Sequence, residues 1–277
     1  MAAGRRGMGG SMNRWQGRWA LVTGASAGIG WALAGLLAQR GAKLVLTARR
    51  QDRLEELARK VASDHGATVE IFPVDLAKPT GAAELFAFTE GKGIEVDLLV
   101  NNAGFGAYGE FHRRSLDWFR DMVQVNVGAV VELTHRYLTG MVARRRGDVM
   151  IVASTAAFQP VPYISCYAAT KGFDLLLAEG LAEEVRQYGV RVMALCPGPT
   201  GTEFQKVAKQ PDRAFRFAES AEKVARTGLD ALDAGKTYVV SGWLNYLQVN
   251  AERLAPRAFV ARSAAALLAP TSADQTD

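Results

Sequence analysis

Seven short apolar runs, each separated from the next by a longer stretch of helical character, constrain this chain more than any other feature. They span residues 19–23, 43–48, 69–72, 97–101, 148–153, 190–195 and 237–241. Most are continuously apolar rather than alternating, the pattern of parallel strands covered on both faces. Helices are expected between them, near residues 30–40, 51–64, 81–89, 115–145, 164–188 and 221–234. Strand alternating with helix implies βαβ units joined by right-handed crossovers. The expected architecture is α/β, a doubly wound parallel sheet of about seven strands in one domain over residues 17–242. Residues 1–16 are expected to be a flexible basic extension, and residues 243–277 an amphipathic helical one.

A glycine-rich turn follows the first strand: Thr23-Gly24-Ala25-Ser26-Ala27-Gly28-Ile29-Gly30. At a strand-to-helix junction the glycines permit a tight turn and close backbone approach. The helix N-terminus then presents free N–H groups and a partial positive charge to a pyrophosphate. A glycine turn alone also suits an ordinary cap. In this strand–turn–helix setting it reads as a Rossmann-type dinucleotide site.

About twenty residues later the second strand ends in Ala48-Arg49-Arg50, with no carboxylate. A carboxylate there would bind the ribose 2′-hydroxyl of NAD, whereas a cation would meet the 2′-phosphate of NADP. Arginines are disfavoured at a helix N-terminus, so this pair is assigned to phosphate and the expected cofactor is NADP(H).

The formal charge is +5, from 33 basic and 28 acidic residues, too mild to require nucleic acid as a partner. It is unevenly placed: residues 1–51 hold eight basic side chains and no acidic one. Two cysteines, Cys166 and Cys196, cannot build a disulfide framework or a cysteine-rich zinc site. His65, His112 and His135 are scattered without ligand spacing, so no metal is expected. The first eighteen residues lack an apolar h-region. The longest uncharged run, residues 149–170, is broken by Pro160 and Pro162, so the expectation is a soluble, cytoplasmic chain.

Further along, Asn101-Asn102-Ala103-Gly104 closes the fourth strand and Asn126 lies in the following helix. Ser154 follows the fifth strand, Tyr167 and Lys171 share one helix face, and Pro197-Gly198 follows the sixth strand. Each has an ordinary explanation alone, as a capping amide, a loop serine or a core tyrosine. Together they fall on the rim where an open α/β sheet binds ligands.

These pieces, in this order and spacing over residues 17–205, resemble the short-chain dehydrogenase/reductase family, within it a branch of largely uncharacterised bacterial reductases. The resemblance implies a catalytic tetrad of Asn126, Ser154, Tyr167 and Lys171. It places Gly24, Ser26, Gly28, Ile29 and Gly30 at the pyrophosphate, with Arg49 and Arg50 beyond. Asp75 and Leu76 would flank adenine, and Asn102, Ala103 and Gly104 would line the adenosine side. Pro197, Gly198, Thr200 and Thr202 would line the nicotinamide side, where Tyr167 and Lys171 also reach the cofactor. Long helices paired across two-fold axes would make a homodimer or homotetramer.

The chemistry follows from the residue types. Hydride transfer to a carbonyl leaves an alkoxide, so a proton must move as well. A free tyrosine has a pKa of about 10, and a nearby Lys171 cation should lower it. Ser154 would hold the substrate oxygen, and Asn126 a water that relays protons. The reverse direction, oxidation of an alcohol with NAD(P)+, stays open. A non-catalytic NADP-binding regulator is the reading that an intact tetrad opposes. Phe105, Phe158, Pro160, Val161, Pro162, Ile164, Phe204, Phe215 and Phe217 suggest a hydrophobic carbonyl or alcohol substrate, a ketone or ketoacyl compound. The tail mixes Trp243, Leu244, Leu247, Leu254 and Phe259 with Arg253, Arg257 and Arg262, which fits packing on its own domain or a partner subunit better than a membrane surface.

Overall fold

The computed structural model describes residues 13–208 and 218–270. Strands β1 (Trp19–Thr23), β2 (Lys43–Ala48), β3 (Val69–Pro73), β4 (Val96–Asn101), β5 (Gly147–Val152) and β6 (Val190–Cys196) lie in one sheet. A two-stranded ribbon, β7 (Thr200–Gly201) and β8 (Glu219–Ser220), stands apart, and β9 (Tyr238–Val240) completes the main sheet. Its order is β3-β2-β1-β4-β5-β6-β9, every pairing parallel. This is the Rossmann-type arrangement, and the chain reverses its direction of travel across the sheet between β1 and β4. The crevice at their carboxyl ends is where such sheets bind ligands.

The register explains the continuous apolar runs. Leu21, Val45, Leu99, Val149, Ile151 and Val192 face one layer of core, while Val22, Leu44, Leu46, Val100, Met150 and Met193 face the other. Successive residues of one strand therefore bury on opposite sides, each fully buried side chain contributing about 1.5–3 kcal/mol. Helices α1 (Gly28–Gln39) and α2 (Gln51–His65) cover the second layer. Helix α3 (Gly81–Gly91) covers the first.

The expected helix at 115–145 is three pieces: α4 (Leu116–Val123), a widened π turn (Gln124–Gly128) and α5 (Ala129–Ala143). Next come α6 (Ser165–Val185), α7 (Phe204–Ala208), α8 (Ala221–Asp233), α9 (Trp243–Glu252) and α10 (Arg257–Leu268). The short ribbon and α7 are absent from the sequence reading, since two to five residues carry no periodicity.

One boundary needs correction. Residues 13–16 of the expected flexible extension are packed on the domain: Trp15 is 1% exposed, within the second core layer. Arg14 is bonded to buried Asp148 and lies 3.3 Å from Asp233. Burying an indole and pairing a guanidinium with two carboxylates holds this segment in place. The remainder of the extension lies outside the described residues. At the other end Val249 of α9 joins the first core layer, and Leu268 of α10 joins a smaller cluster around Tyr167. No helix among the described residues is long and apolar enough to cross a membrane.

Candidate functional site

The turn after β1 is shaped by what its glycines lack. Gly24 and Gly28 have φ of +66° and +56°, a region costly for residues with a Cβ. A Cβ on Gly30 would stand 2.4 Å from the Asn102 amide and 2.5 Å from the Gly24 carbonyl. Asn102 fills that space usefully, donating from Nδ2 to the carbonyls of Thr23 (2.8 Å) and Gly24 (3.2 Å). Thr23 Oγ1, on β1, in turn accepts from the backbone N–H groups of Asn102 and Ala103, each at 2.9 Å. The turn and the end of β4 are thus one braced unit. Thr23 is the brace itself, and the glycine spacing around it carries no sign that it holds the end of β4.

Arg49 is exposed and makes no hydrogen bond or ion pair to a described residue, whereas Arg50 leans over the turn. Arg50 donates to the Ser26 side chain at 3.2 Å and pairs with Glu203 at 2.8 Å. Ile29 is half-buried against the second core layer. Asp75 is half-buried, its Oδ1 accepting from the Ala77 N–H at 3.0 Å, and Leu76 is buried in the first core layer. The segment after β6 crosses the mouth of the crevice. Pro197 accepts from the Thr155 N–H (2.9 Å), Thr200 donates to the Gly198 carbonyl (2.9 Å), and Thr202 packs against Gly28.

Across the crevice, Ser154 caps the short helical turn after β5, accepting from the Ala156 N–H at 3.1 Å. Tyr167 and Lys171 project from one face of α6, with Lys171 Nζ 5.9 Å from the tyrosine ring centroid. Asn126 is fully buried in the π turn, a distortion that recurs at functional sites. Its amide donates to the Phe105 carbonyl (3.0 Å) and Thr170 Oγ1 (3.1 Å), and its oxygen accepts from the Phe105 N–H (3.1 Å). Gly104 lies between: a Cβ there would stand 3.1 Å from Asn126 Oδ1 and 3.6 Å from Lys171 Nζ. Gly104 thus sits against both Asn126 and Lys171, Lys171 lies beside the Tyr167 ring and Ser154 is hydrogen-bonded to Tyr167, so the four expected side chains border one space.

The electrostatics depart from expectation. Burial raises the Tyr167 phenol; Lys171 and a hydrogen bond from Ser154 oppose this without cancelling it, and Asp174 adds to it. Burial alone would push the Lys171 ammonium down, but Asp174 and Tyr167 carry it above its ordinary value. Lys171 Nζ donates to Asp174 Oδ2 at 2.9 Å and to the Val152 carbonyl at 2.8 Å. The sequence reading missed Asp174, although an acid three residues after Lys171 shares its helix face.

The apolar lining is partly as expected. The Phe204 ring lies 5.2 Å from that of Tyr167, and Phe105 stands edge-on to Trp118 at 5.4 Å. Phe158 instead packs on Tyr238 and under Arg253. Phe215 and Phe217 lie outside the described residues. A cavity of about 270 Å³ beside Ile164 is lined by Tyr108, Phe119, Tyr163 and Cys166. No cluster of His, Cys, Asp or Glu among the described residues could hold a metal ion.

The family model for short chain dehydrogenase matches residues 18–213. The uncharacterized oxidoreductase YvaG of Bacillus subtilis is 37% identical over 191 residues, covering 68% of this chain and 70% of its own. The 7beta-hydroxysteroid dehydrogenase of Clostridium sardiniense is 31% identical over 230 residues, 83% of this chain and 87% of its own. Very-long-chain 3-oxoacyl-CoA reductase-B of Danio rerio is 32% identical over 70% of this chain, which spans 63% of that protein. Two solved structures superpose closely. A short-chain dehydrogenase from Sphingobium yanoikuyae in complex with NADPH has a TM-score of 0.78 and 27% identity, covering 86% of this chain and 93% of that one. One from Burkholderia phymatum in complex with NAD has a TM-score of 0.79 and 26% identity, covering 87% and 94%.

Proposed function

The chain belongs to the short-chain dehydrogenase family, and we propose that it is an NADP-dependent reductase of hydrophobic carbonyl compounds. The observation that carries this reading is the grouping of Asn126 and Lys171 around Gly104, with Lys171 beside the Tyr167 ring and Ser154 hydrogen-bonded to Tyr167. The turn suits a dinucleotide: Gly24 and Gly28 take positive φ and Gly30 packs directly on Asn102 and the Gly24 carbonyl, which bends the chain tightly enough to set the free N–H groups at the start of α1 over the crevice. When bound, the nicotinamide dinucleotide supplies or accepts the hydride. The chain's own residues do the rest.

Tyr167 is the acid: its hydroxyl gives the proton to the substrate oxygen as negative charge develops there. Ser154 donates a hydrogen bond to the same oxygen and steadies that charge. Lys171 holds the phenolate that Tyr167 becomes. With the Val152 carbonyl and Asp174 taking two of its N–H groups, the third would be available to the nicotinamide ribose. Asn126 holds Phe105 and Thr170 in place, and by resemblance a water that returns protons to Lys171.

The exposed Arg49 guanidinium is the group for the 2′-phosphate, with Arg50 reinforcing it over Ser26. Arginine suits both tasks, since its fork bonds two phosphate oxygens and its plane stacks on adenine. Relatives named for hydroxysteroids and very-long-chain 3-oxoacyl-CoA support an apolar substrate, as do Phe204 and Phe105 beside the tyrosine. Exposed Phe173 and Leu176 on α6, and Val131 on α5, support pairing of these helices in a homodimer or homotetramer. Purified protein assayed with NADPH and NADH against a panel of ketones and ketoacyl thioesters tests the reading. Turnover of an apolar ketone, faster with NADPH, is expected; no turnover of any carbonyl would overturn it.

A further inference from the structure

On α6, Tyr167, Lys171 and Asp174 occupy successive turns of one buried face. The side chain of Asp174 is 0% exposed, and its Oδ2 receives the Lys171 ammonium at 2.9 Å. Its other oxygen is buried with no hydrogen-bond partner among the described residues. The Tyr-x-x-x-Lys motif does not itself call for this carboxylate. Burial raises the Asp174 carboxyl above its ordinary value, and the Lys171 charge and hydrogen bond pull it back. A buried carboxylate satisfied on one oxygen is costly, and it is held here against the one cation that the tyrosine relies on.

We propose that Asp174 is a positioning residue that keeps Tyr167 protonated as the acid of carbonyl reduction, by drawing the Lys171 ammonium toward β5 and balancing its charge. This rests on the carbonyl-reductase reading and adds the group that holds its proton donor in the protonated form. In reduction the carbonyl carbon takes a hydride from the reduced nicotinamide dinucleotide, which is oxidised. The C=O π pair moves onto oxygen, the Tyr167 O–H bond breaks, and its proton goes to that oxygen. Tyr167 is then a phenolate until a proton from solvent restores it. Oxidation of an alcohol needs the phenolate at the outset. A lone ammonium beside a phenol favours phenolate, and a carboxylate bonded to that ammonium offsets the pull.

The other groups facing this pair do not change the sign. On β6, burial pushes the Cys196 thiol up to about 12, so it is neutral, and Glu179 of α6 acts on Cys196 rather than on Lys171. The π turn contributes the Asn126 amide, β5 the Val152 carbonyl, and the turn after β5 the Ser154 hydroxyl, none of them charged.

The test is a pH titration of phenolate absorbance in the full-length protein. Tyr167→Phe in each background is subtracted to isolate Tyr167. In Asp174→Asn the Tyr167 midpoint should fall by about one pH unit or more. The alkaline limb of kcat/KM for ketone reduction should move down with it, and Asp174→Glu should restore most of the original midpoint. Asp174→Leu, which needs no hydrogen bond, should show the same fall and serves if the asparagine variant does not fold. An unmoved midpoint overturns the proposal. So does a rise, which would mean that Lys171 loses its proton once the carboxylate is gone. The absorbance titration needs no substrate. A wild type that reduces no carbonyl therefore sinks the carbonyl-reductase reading separately from the effect of Asp174 on Tyr167.

Discussion

The two walls of the crevice are built on opposite principles. The glycine turn after β1 is defined by missing atoms: Gly30 has no room for a Cβ, and Asn102 and Thr23 brace the backbone with neutral hydrogen bonds. The wall on α6 is defined by charge, with the Asp174–Lys171 pair buried next to the Tyr167 hydroxyl. The first wall is steric, so it should respond to added volume and hardly at all to pH. The second is electrostatic, so it should respond to pH and to isosteric changes of charge. A binding surface for a large anion can be preorganised by backbone alone, whereas moving a proton requires a titratable group whose surroundings are tuned.

The largest effect expected is on the charged wall. Tyr167→Phe removes the proton donor and keeps the ring, so kcat should fall by about 10²- to 10⁴-fold. NADPH affinity, followed by fluorescence titration, should stay within about twofold. Near-normal kcat would remove Tyr167 from the mechanism and with it the contrast between the walls.

Gly30→Ala tests the steric wall. Overpacking of this kind costs about 1–3 kcal/mol; where the displaced turn must be restored to bind the cofactor, NADPH affinity should weaken by about five- to 150-fold. The loss should be the same at low and high pH. A strongly pH-dependent loss would show that the turn also works through a titrating group.

Cofactor choice should be a tenfold matter. The wild type is expected to favour NADPH over NADH by at least about tenfold in kcat/KM, since a charge-assisted contact is worth about 1.5–3 kcal/mol. Ala48→Asp with Arg49→Leu should reverse the preference. Steady-state kinetics at matched ionic strength decide it, because salt screens exposed charges; equal efficiency with both cofactors would end the arginine argument.

The smallest change expected comes from Glu203→Gln. It frees Arg50 from a partner at 2.8 Å, an exposed pair worth about 0.2–1 kcal/mol. NADPH should bind about two- to threefold more tightly, and less so in high salt. Weaker binding would mean that the pair orders the turn rather than competing with the phosphate.

Much of this was legible before any coordinates. All seven main strands fall within about a residue of their expected bounds, because apolar runs buried on both faces are a local signal. Helix 115–145 was right in extent, but its π turn was not visible, since one extra residue in a turn leaves periodicity almost unchanged. Arg14 shows the opposite failure. As a basic residue near a terminus it looked solvated, yet it meets Asp148 and Asp233, far away in sequence.

The sequence by itself determined the alternation of strand and helix, the glycine turn, the absence of a carboxylate after β2 and the residue types that meet in the crevice. Each is a property of neighbours along the chain. Tertiary structure decided which charges are buried and against what. Asp174 makes the distinction plain, being only three residues from Lys171. On an exposed helix that spacing is a surface pair worth a few tenths of a kcal/mol. Packed against β5 and β6, where water cannot screen it, the same pair becomes a buried ion pair that acts on the tyrosine one turn beyond. Spacing can be read from one chain, but the dielectric around it exists only once the sheet and α6 have closed over it.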